Sequence, residues 1–347
     1  MRILQLIDTL RIGGAERTAV NFANSLVEFG HESFLVTTRE KGDFVDLLKS
    51  RVFYKHIKKK NTLDLVALHK LRTYIRENKI EIIHAHGTSW FFAVLSKLAG
   101  ARIKIIWHNH FGDSQNMPLY RLSILKLFSS NFNGIISVNH DLSIWADRHL
   151  NCSKSLNLPN FVVFTEGKQS KAREFNNLVC LANLKPVKNH PILLKACDLV
   201  YEEIGIKLHI IGVDLNDSYS SFLIKEFEKR QYVIFHGGII DPQPILSKMN
   251  IGILCSKSEG LPLALLEYGV AGLSVISTNV GACSDVIGDN GQVVSTNDYR
   301  ALANSIKVYL TNKERYLRDS LNFKNGIFDH YSSEKVIPTY LEFCLNL

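Results

Sequence analysis

Two glutamates, Glu259 and Glu267, stand with seven residues between them in SEGLPLALLEYGVAG, residues 258–272. The apolar run IGILCS before them reads as a buried strand, and Pro262 suits the first turn of a helix over 262–271. Glu259 then falls in the strand-to-helix loop, beside the free N–H groups of the helix start. Glu267 lies about a turn and a half into the helix, where the pattern buries its neighbours Leu265, Leu266 and Val270. A carboxylate so placed can accept two hydrogen bonds from a ribose diol. The helix start and the Gly260 backbone can bind hydroxyls or phosphate oxygens. Spacing alone also admits a plainer pattern, one acid at a helix start and one on its surface.

Other stretches carry chemistry too. LVCLANLKPVKNHPILLKAC, 178–197, reads as a strand, a loop holding Asn183, Lys185 and Lys188, and a helix. IGGAER, 12–17, puts Gly13 and Gly14 between a strand and a helix, where backbone can approach a ligand closely or simply turn. It is not GxGxxG, which weakens a dinucleotide reading. IEIIHAHGTSW and RIKIIWHNHFGDS each end in His-x-His, giving His84, His86, His108 and His110 at the ends of two strands. Alternate residues of a strand share a face, so each pair can converge. A metal reading finds no partner carboxylate for them, and zinc takes three or four ligands, so no metal is expected.

Positioning these residues needs a scaffold that gathers strand ends. Short apolar runs alternate with helical patterns along the whole chain. RILQLI, ESFLVTT, IEIIHAH, RIKIIWH and GIISVN are strands, separated by helices near 15–29, 62–78, 88–99 and 119–130 and followed by one near 141–149. The polar stretch 151–177 breaks the rhythm and reads as a linker. LVCLAN, KLHIIG, VIFHG, IGILCS, SVIST and GQVVS then restart it, with helices over 189–203, 218–229 and near 242–249, and closing helices at the end. Repeated βα units imply α/β domains with parallel sheets covered on both faces. Ligands bind beyond the carboxyl ends of such strands.

The 347 residues suit two domains. The composition, 46% hydrophobic and 21% charged, is that of a water-soluble globular protein. No apolar run reaches the ~18–20 residues of a membrane helix, and MRILQLIDTLRIGG reads as a first strand rather than a signal peptide. Six scattered cysteines without CxxC spacing read as reduced cytosolic thiols. Residues 1–165 hold 22 Lys and Arg against 13 Asp and Glu, so the net charge of +8 resides in that half. Its densest run is SRVFYKHIKKKN, 50–61, which fits an anionic lipid surface or a solvated face. No nucleic-acid recognition motif accompanies it.

The run CSKSEGLPLALLEYGVAGLSVISTNVGACSDVIGDNG, 255–291, resembles the hallmark of the retaining glycosyltransferases of family 4, the group 1 glycosyl transferases. That resemblance implies the GT-B fold, two Rossmann-like parallel-sheet domains facing across a cleft. Their limits would be 1–165 for the acceptor-binding domain and 166–328 for the nucleotide-sugar-binding domain. A C-terminal helix over 329–347 would pack back toward the first. Glu267 would hold the nucleotide ribose, and Glu259, with Gly260, Leu261 and Pro262, would contact the donor sugar. Lys188 would neutralise the donor diphosphate. Asn183 stands where the family commonly has Arg, and Lys185 lies two residues on. Gly13 and Gly14 match the glycine loop near donor phosphate and acceptor. On the acceptor side the resemblance points to His110 first, then His86, with Ser137 before a helix and Asn160 of LPNF at the domain junction.

The implied activity moves a hexosyl group from a nucleoside-diphosphate sugar, UDP favoured over GDP, to a glycan or lipid-linked glycan. It would serve bacterial surface polysaccharide synthesis by a front-face route, without metal or cofactor. The implied location is cytoplasmic, peripheral on the inner membrane. Two alternatives stay open: a non-catalytic nucleotide-sugar-binding subunit of a glycan assembly complex, and a GT-B nucleotide-sugar epimerase.

Overall fold

The apolar runs between turns become parallel strands, and the central ones are buried on both faces, as all of Ile82–His86 is. The computed structural model describes residues 1–110, 112, 114–164 and 175–347. The expected boundary at 165/166 lies outside them. The contacts divide the chain into two units, Met1–Val163 with Ser333–Leu347, and Phe164–Ser332.

Unit 1 runs β1 (Arg2–Ile7), α1 (Gly14–Glu28), β2 (Glu32–Thr37), β3 (Phe53–His56), α2 (Leu65–Glu77) and β4 (Ile82–His86). It continues through α3 (Trp90–Leu98), β5 (Lys104–Asn109), α4 (Leu119–Ser129), β6 (Gly134–Ser137), α5 (His140–His149) and β7 (Ser155–Asn157). Its seven strands lie in the order β3-β2-β1-β4-β5-β6-β7. Unit 2 holds β8 (Asn177–Leu181), α6 (His190–Ile204), β9 (Lys207–Ile211), α7 (Ser218–Glu228), β10 (Val233–Phe235), α8 (Gln243–Leu246) and β11 (Ile251–Leu254). Then follow α9 (Leu263–Ala271), β12 (Ser274–Thr278), α10 (Cys283–Ile287), β13 (Gln292–Val294), α11 (Tyr299–Thr311) and α12 (Lys313–Tyr331). Its six strands are ordered β10-β9-β8-β11-β12-β13, all parallel.

Three sequence expectations change. Residues 151–157 are not linker, since Ser155–Asn157 pairs with β6 and Leu158, Phe161 and Val162 are buried in unit 1. The basic run contains a strand, β3, which takes the sheet edge beside β2. The last helix, α13 (Ser333–Leu345), starts four residues later than expected because α12 continues to Tyr331. Within unit 1, α13 buries Val336, Ile337 and Tyr340 against Ile3, Phe22 and Leu26.

Candidate active site

Strand order decides where chemistry can gather. In unit 2 the chain leaves β8 toward β9 and β10, then returns to β11 on the other side of β8. The order reverses between β8 and β11, the place on such a sheet where ligands bind. The loops leaving those two strands carry Lys188 and Glu259. The Lys188 Nζ donates to Glu259 Oε1 at 2.5 Å, and Ser256 Oγ donates to the same oxygen at 2.5 Å. The pair is largely shielded, with side chains 23% and 10% exposed.

Several contacts fix this pair. Lys188 ends a single turn, Pro186–Lys188, closed by Asn189 in the left-handed region at φ 56°. The Lys257 N–H donates to the Val187 carbonyl at 2.8 Å, tying one loop to the other. Thr278 Oγ1 donates to the Ser256 carbonyl at 2.7 Å. Gly281, at φ 52°, lies so close that a Cβ there would sit 2.1 Å from the Glu259 carbonyl oxygen. Gly281→Ala is therefore expected to displace the 259–260 backbone and to cost about 1–3 kcal/mol of stability. A thermal melt beside an activity assay checks it, and unchanged values in both would contradict the packing.

Helix α9 starts at Leu263, with Pro262 as its extended N-cap rather than inside the first turn. Leu265 and Leu266 are buried as expected, but Val270 is only half-buried. Gly260, Leu261 and Pro262 are buried, and Glu267 is half-buried. Tyr268 anchors the helix: its hydroxyl accepts from the Leu181 N–H at 2.7 Å and donates to the Ile253 carbonyl at 3.2 Å. Its ring covers Gly252, where a Cβ would come within 2.4 Å of it. Asn183 holds the loop after β8 to the loop after β9, its Oδ1 accepting from the Val213 N–H at 2.9 Å. Lys185 is exposed, and its ammonium has no partner among the described residues.

In unit 1 the order reverses between β1 and β4. Gly13 is the N-cap of α1 and Gly14 its first residue. A Cβ at Gly14 would meet nothing within 4 Å, so packing within the unit leaves room there. Thr18 Oγ1 reaches the Gly14 carbonyl at 3.0 Å and Asn160 Oδ1 at 3.2 Å, bringing Asn160 to the first turns of α1. Asp8, after β1, accepts from Thr38, Thr88 and Lys59. Burial opposes its charge, but Lys59 and the two hydroxyls outweigh that and lower its pKa below the ordinary value. Lys59 thus points inward, its side chain 6% exposed, and leaves the basic surface expected at 50–61.

The four histidines form one stack. His108 and His110 have ring centroids 4.0 Å apart, and His84 and His86 4.4 Å. His84 Nε2 bonds His108 Nδ1 at 3.0 Å, His86 Nδ1 bonds His110 Nε2 at 3.0 Å, and His86 Nε2 bonds Gln5 Oε1 at 2.8 Å. With Gln5 accepting, His86 carries its proton on Nε2 and His110 must donate from Nε2. Burial pushes the pKa of all four down, that of His110 to about 3. His84, His86 and His108 bring ligand nitrogens within 4.8 Å of one another, a spacing an ion could bridge, though both His86 nitrogens are already bonded. Ser137 is fully buried in β6, and its hydroxyl has no partner among the described residues.

Each sheet therefore gathers part of the expected set: Lys188, Glu259 and α9 in unit 2, Gly13, Gly14, Asn160, His86 and His110 in unit 1. Sequence reasoning missed Ser256, Tyr268, Gln5, Asp8 and Lys59. Only Asp8 carried a signal, an acid directly after the first strand and ahead of the glycine pair.

Comparison with known proteins assigns both sheets. Residues 176–312 match the model for glycosyl transferases group 1, and residues 12–156 match that for glycosyltransferase family 4. An uncharacterized glycosyltransferase of Haemophilus influenzae is 23% identical over 94% of this chain and 95% of its own. The GalNAc-alpha-(1->4)-GalNAc-alpha-(1->3)-diNAcBac-PP-undecaprenol alpha-1,4-N-acetyl-D-galactosaminyltransferase of Campylobacter jejuni is 24% identical over 93% and 92%. Among solved structures, Anabaena HepE in complex with UDP-glucose superposes with a TM-score of 0.83 at 16% identity, covering 100% of both chains, which shows a shared fold. With both sheets matched, the chain belongs to glycosyltransferase family 4, the group 1 glycosyl transferases, and has the GT-B fold of two Rossmann-like parallel-sheet domains.

Proposed function

We propose that the chain is a retaining, hexosyl-transferring enzyme that takes its sugar from a UDP-sugar and passes it to a glycan or lipid-linked glycan in surface polysaccharide synthesis. The observation that carries this reading is the Lys188–Glu259 pair at the order reversal of the unit 2 sheet, beside the start of α9. A diphosphate arriving there offers Lys188 a stronger anionic partner, and Glu259, released, can accept hydroxyls of the donor sugar. Glu267 on α9 is the proposed ribose acceptor. Asn183, engaged with Val213, leaves Lys185 as the proposed second cation. Neutral His110, its Nε2 proton held by His86 and Gln5, is the proposed acceptor-side group, receiving a hydrogen bond from the acceptor hydroxyl at Nδ1. The leaving phosphate would take the acceptor proton in a front-face transfer, so positioning and charge stabilisation are the protein's share. The relatives support this reading, since one acts on a PP-undecaprenol-linked glycan and HepE is seen with UDP-glucose.

No helix among the described residues is long and apolar enough to cross a membrane. The proposed location is the cytoplasmic face of the inner membrane, contacted through the exposed Arg51, Phe53, Lys55, Lys58 and Lys60 of the β3 region. The same side chains also suit a protected sheet edge, so salt-sensitive binding to anionic vesicles decides between them. The reaction itself is tested by incubating the protein with UDP-sugars and lipid-linked acceptors and reading product anomeric configuration by NMR. A product with the donor's configuration supports the proposal. An inverted product contradicts retention. Donor epimerised without acceptor points to the epimerase alternative.

A further inference from the structure

A pocket of about 350 Å³ opens in unit 1, lined by the C-terminal half of α2 and the turn between α3 and β5. It borders Ile80 and Arg102, which precede β4 and β5, so it lies at the strand ends opposite to those carrying Asp8 and His86. Arg72, Arg76, Lys79 and Arg102 line it, with His69 and the Thr73 hydroxyl, and no carboxylate does. None of the four cations has an ion-pair or hydrogen-bond partner for its side chain among the described residues, and the Nε–H of Arg72 is buried and unpaired.

Cations often collect at helix C-termini to meet the last carbonyls. Here that work is already done by backbone. Ile80 and Lys79 N–H groups donate to Ile75 and Arg76 carbonyls at 3.0 and 3.2 Å, and Ala101 and Gly100 N–H groups donate to Ser96 and Lys97 at 3.0 and 2.9 Å. Gly100, at φ 96°, brings its backbone beside the Arg72 guanidinium, since a Cβ there would lie 3.5 Å from Nη2. Four permanent charges of one sign around a concave surface repel one another, and an anion would relieve that repulsion and supply the missing acceptors. The volume falls at the small end of ligand pockets.

We propose that this pocket binds a phosphoryl group, held by the guanidinium forks of Arg72, Arg76 and Arg102, with Lys79 as a point charge and Thr73 as a neutral donor. The phosphoryl group belongs to a free phosphorylated solute or to a lipid headgroup. The test uses the full chain, wild type and Arg72→Gln/Arg76→Gln, with Arg102→Gln as a variant from the opposite wall. Tryptophan fluorescence melts confirm that each is folded. Inorganic pyrophosphate is titrated calorimetrically in excess UDP, which keeps the proposed donor site filled, and flotation is measured with phosphatidylcholine vesicles with and without phosphatidylglycerol. Pyrophosphate affinity about tenfold or more weaker in the variants supports a solute ligand. Loss of phosphatidylglycerol-dependent flotation, without pyrophosphate binding, supports the headgroup. Variants that match wild type in both measurements overturn the proposal.

Discussion

Replacing Lys188 by alanine is expected to lower sugar transfer by about 100- to 1,000-fold, the loss typical of removing one preorganised group that meets charge developing on a leaving oxygen. The expectation rests on the proposed donor site, where Lys188 is the cation delivered to the order reversal of the unit 2 sheet. The fold should survive, because Lys188 sits in a loop turn, not in the buried cluster of Leu178, Ile210 and Ile253. Glu259 would lose its cation but keep Ser256. Glu259→Ala is expected to act on the same step, leaving Lys188 without its carboxylate. Steady-state transfer assays with both variants, checked by thermal melts, test this. Full turnover by folded Lys188→Ala protein would remove Lys188 from the mechanism.

Acidification is expected to destabilise unit 1 steeply. His84, His86 and His108 are fully buried, and burial lowers their pKa well below the ordinary value near 6.5. Below about pH 6.5 the unfolded chain takes up protons that the native stack cannot. Stability is therefore intact above that pH and falls as pH drops. Each histidine contributes about 1.4 kcal/mol per pH unit, so three lower stability by about 4 kcal/mol between about pH 7.5 and 5.5. That is a large share of the about 5–15 kcal/mol typical of a folded domain. All three tryptophans, Trp90, Trp107 and Trp145, lie in unit 1, so their fluorescence in urea at the two pH values reads this unit. A midpoint that does not move would mean the histidines titrate normally in the native state.

The sequence carried most of the fold because its signals were local. β-branched runs such as RIKII and helices such as HPILLKACDLVYEE are amphipathic or buried over their whole length, so their boundaries were readable to within a few residues. β3 and β7 were not legible, because edge strands of three or four residues are half polar and look like charged or turn-rich loop. The site divided the same way. Glu259, Glu267 and the glycine pair are tied to a strand-loop-helix pattern that one segment contains. Ser256 could be named only once the loop conformation was known. Lys59 was hidden by its own charge, because a run of lysines gives no sign that one of them turns inward to Asp8. The tautomer chain from Gln5 through His86 to His110 joins three strands and loops far apart in sequence, and no spacing rule foretells it.

The central claim, that a nucleoside diphosphate binds unit 2 between Lys188 and α9, is tested most directly by thermal stabilisation with UDP and GDP, without added metal, in wild type and Glu267→Ala. A ligand that binds only the native state raises its melting temperature. The expected result is a rise with UDP in the wild type that is lost in Glu267→Ala. A wild-type melting temperature unmoved by either nucleotide, or an equal rise in the variant, would contradict the assignment.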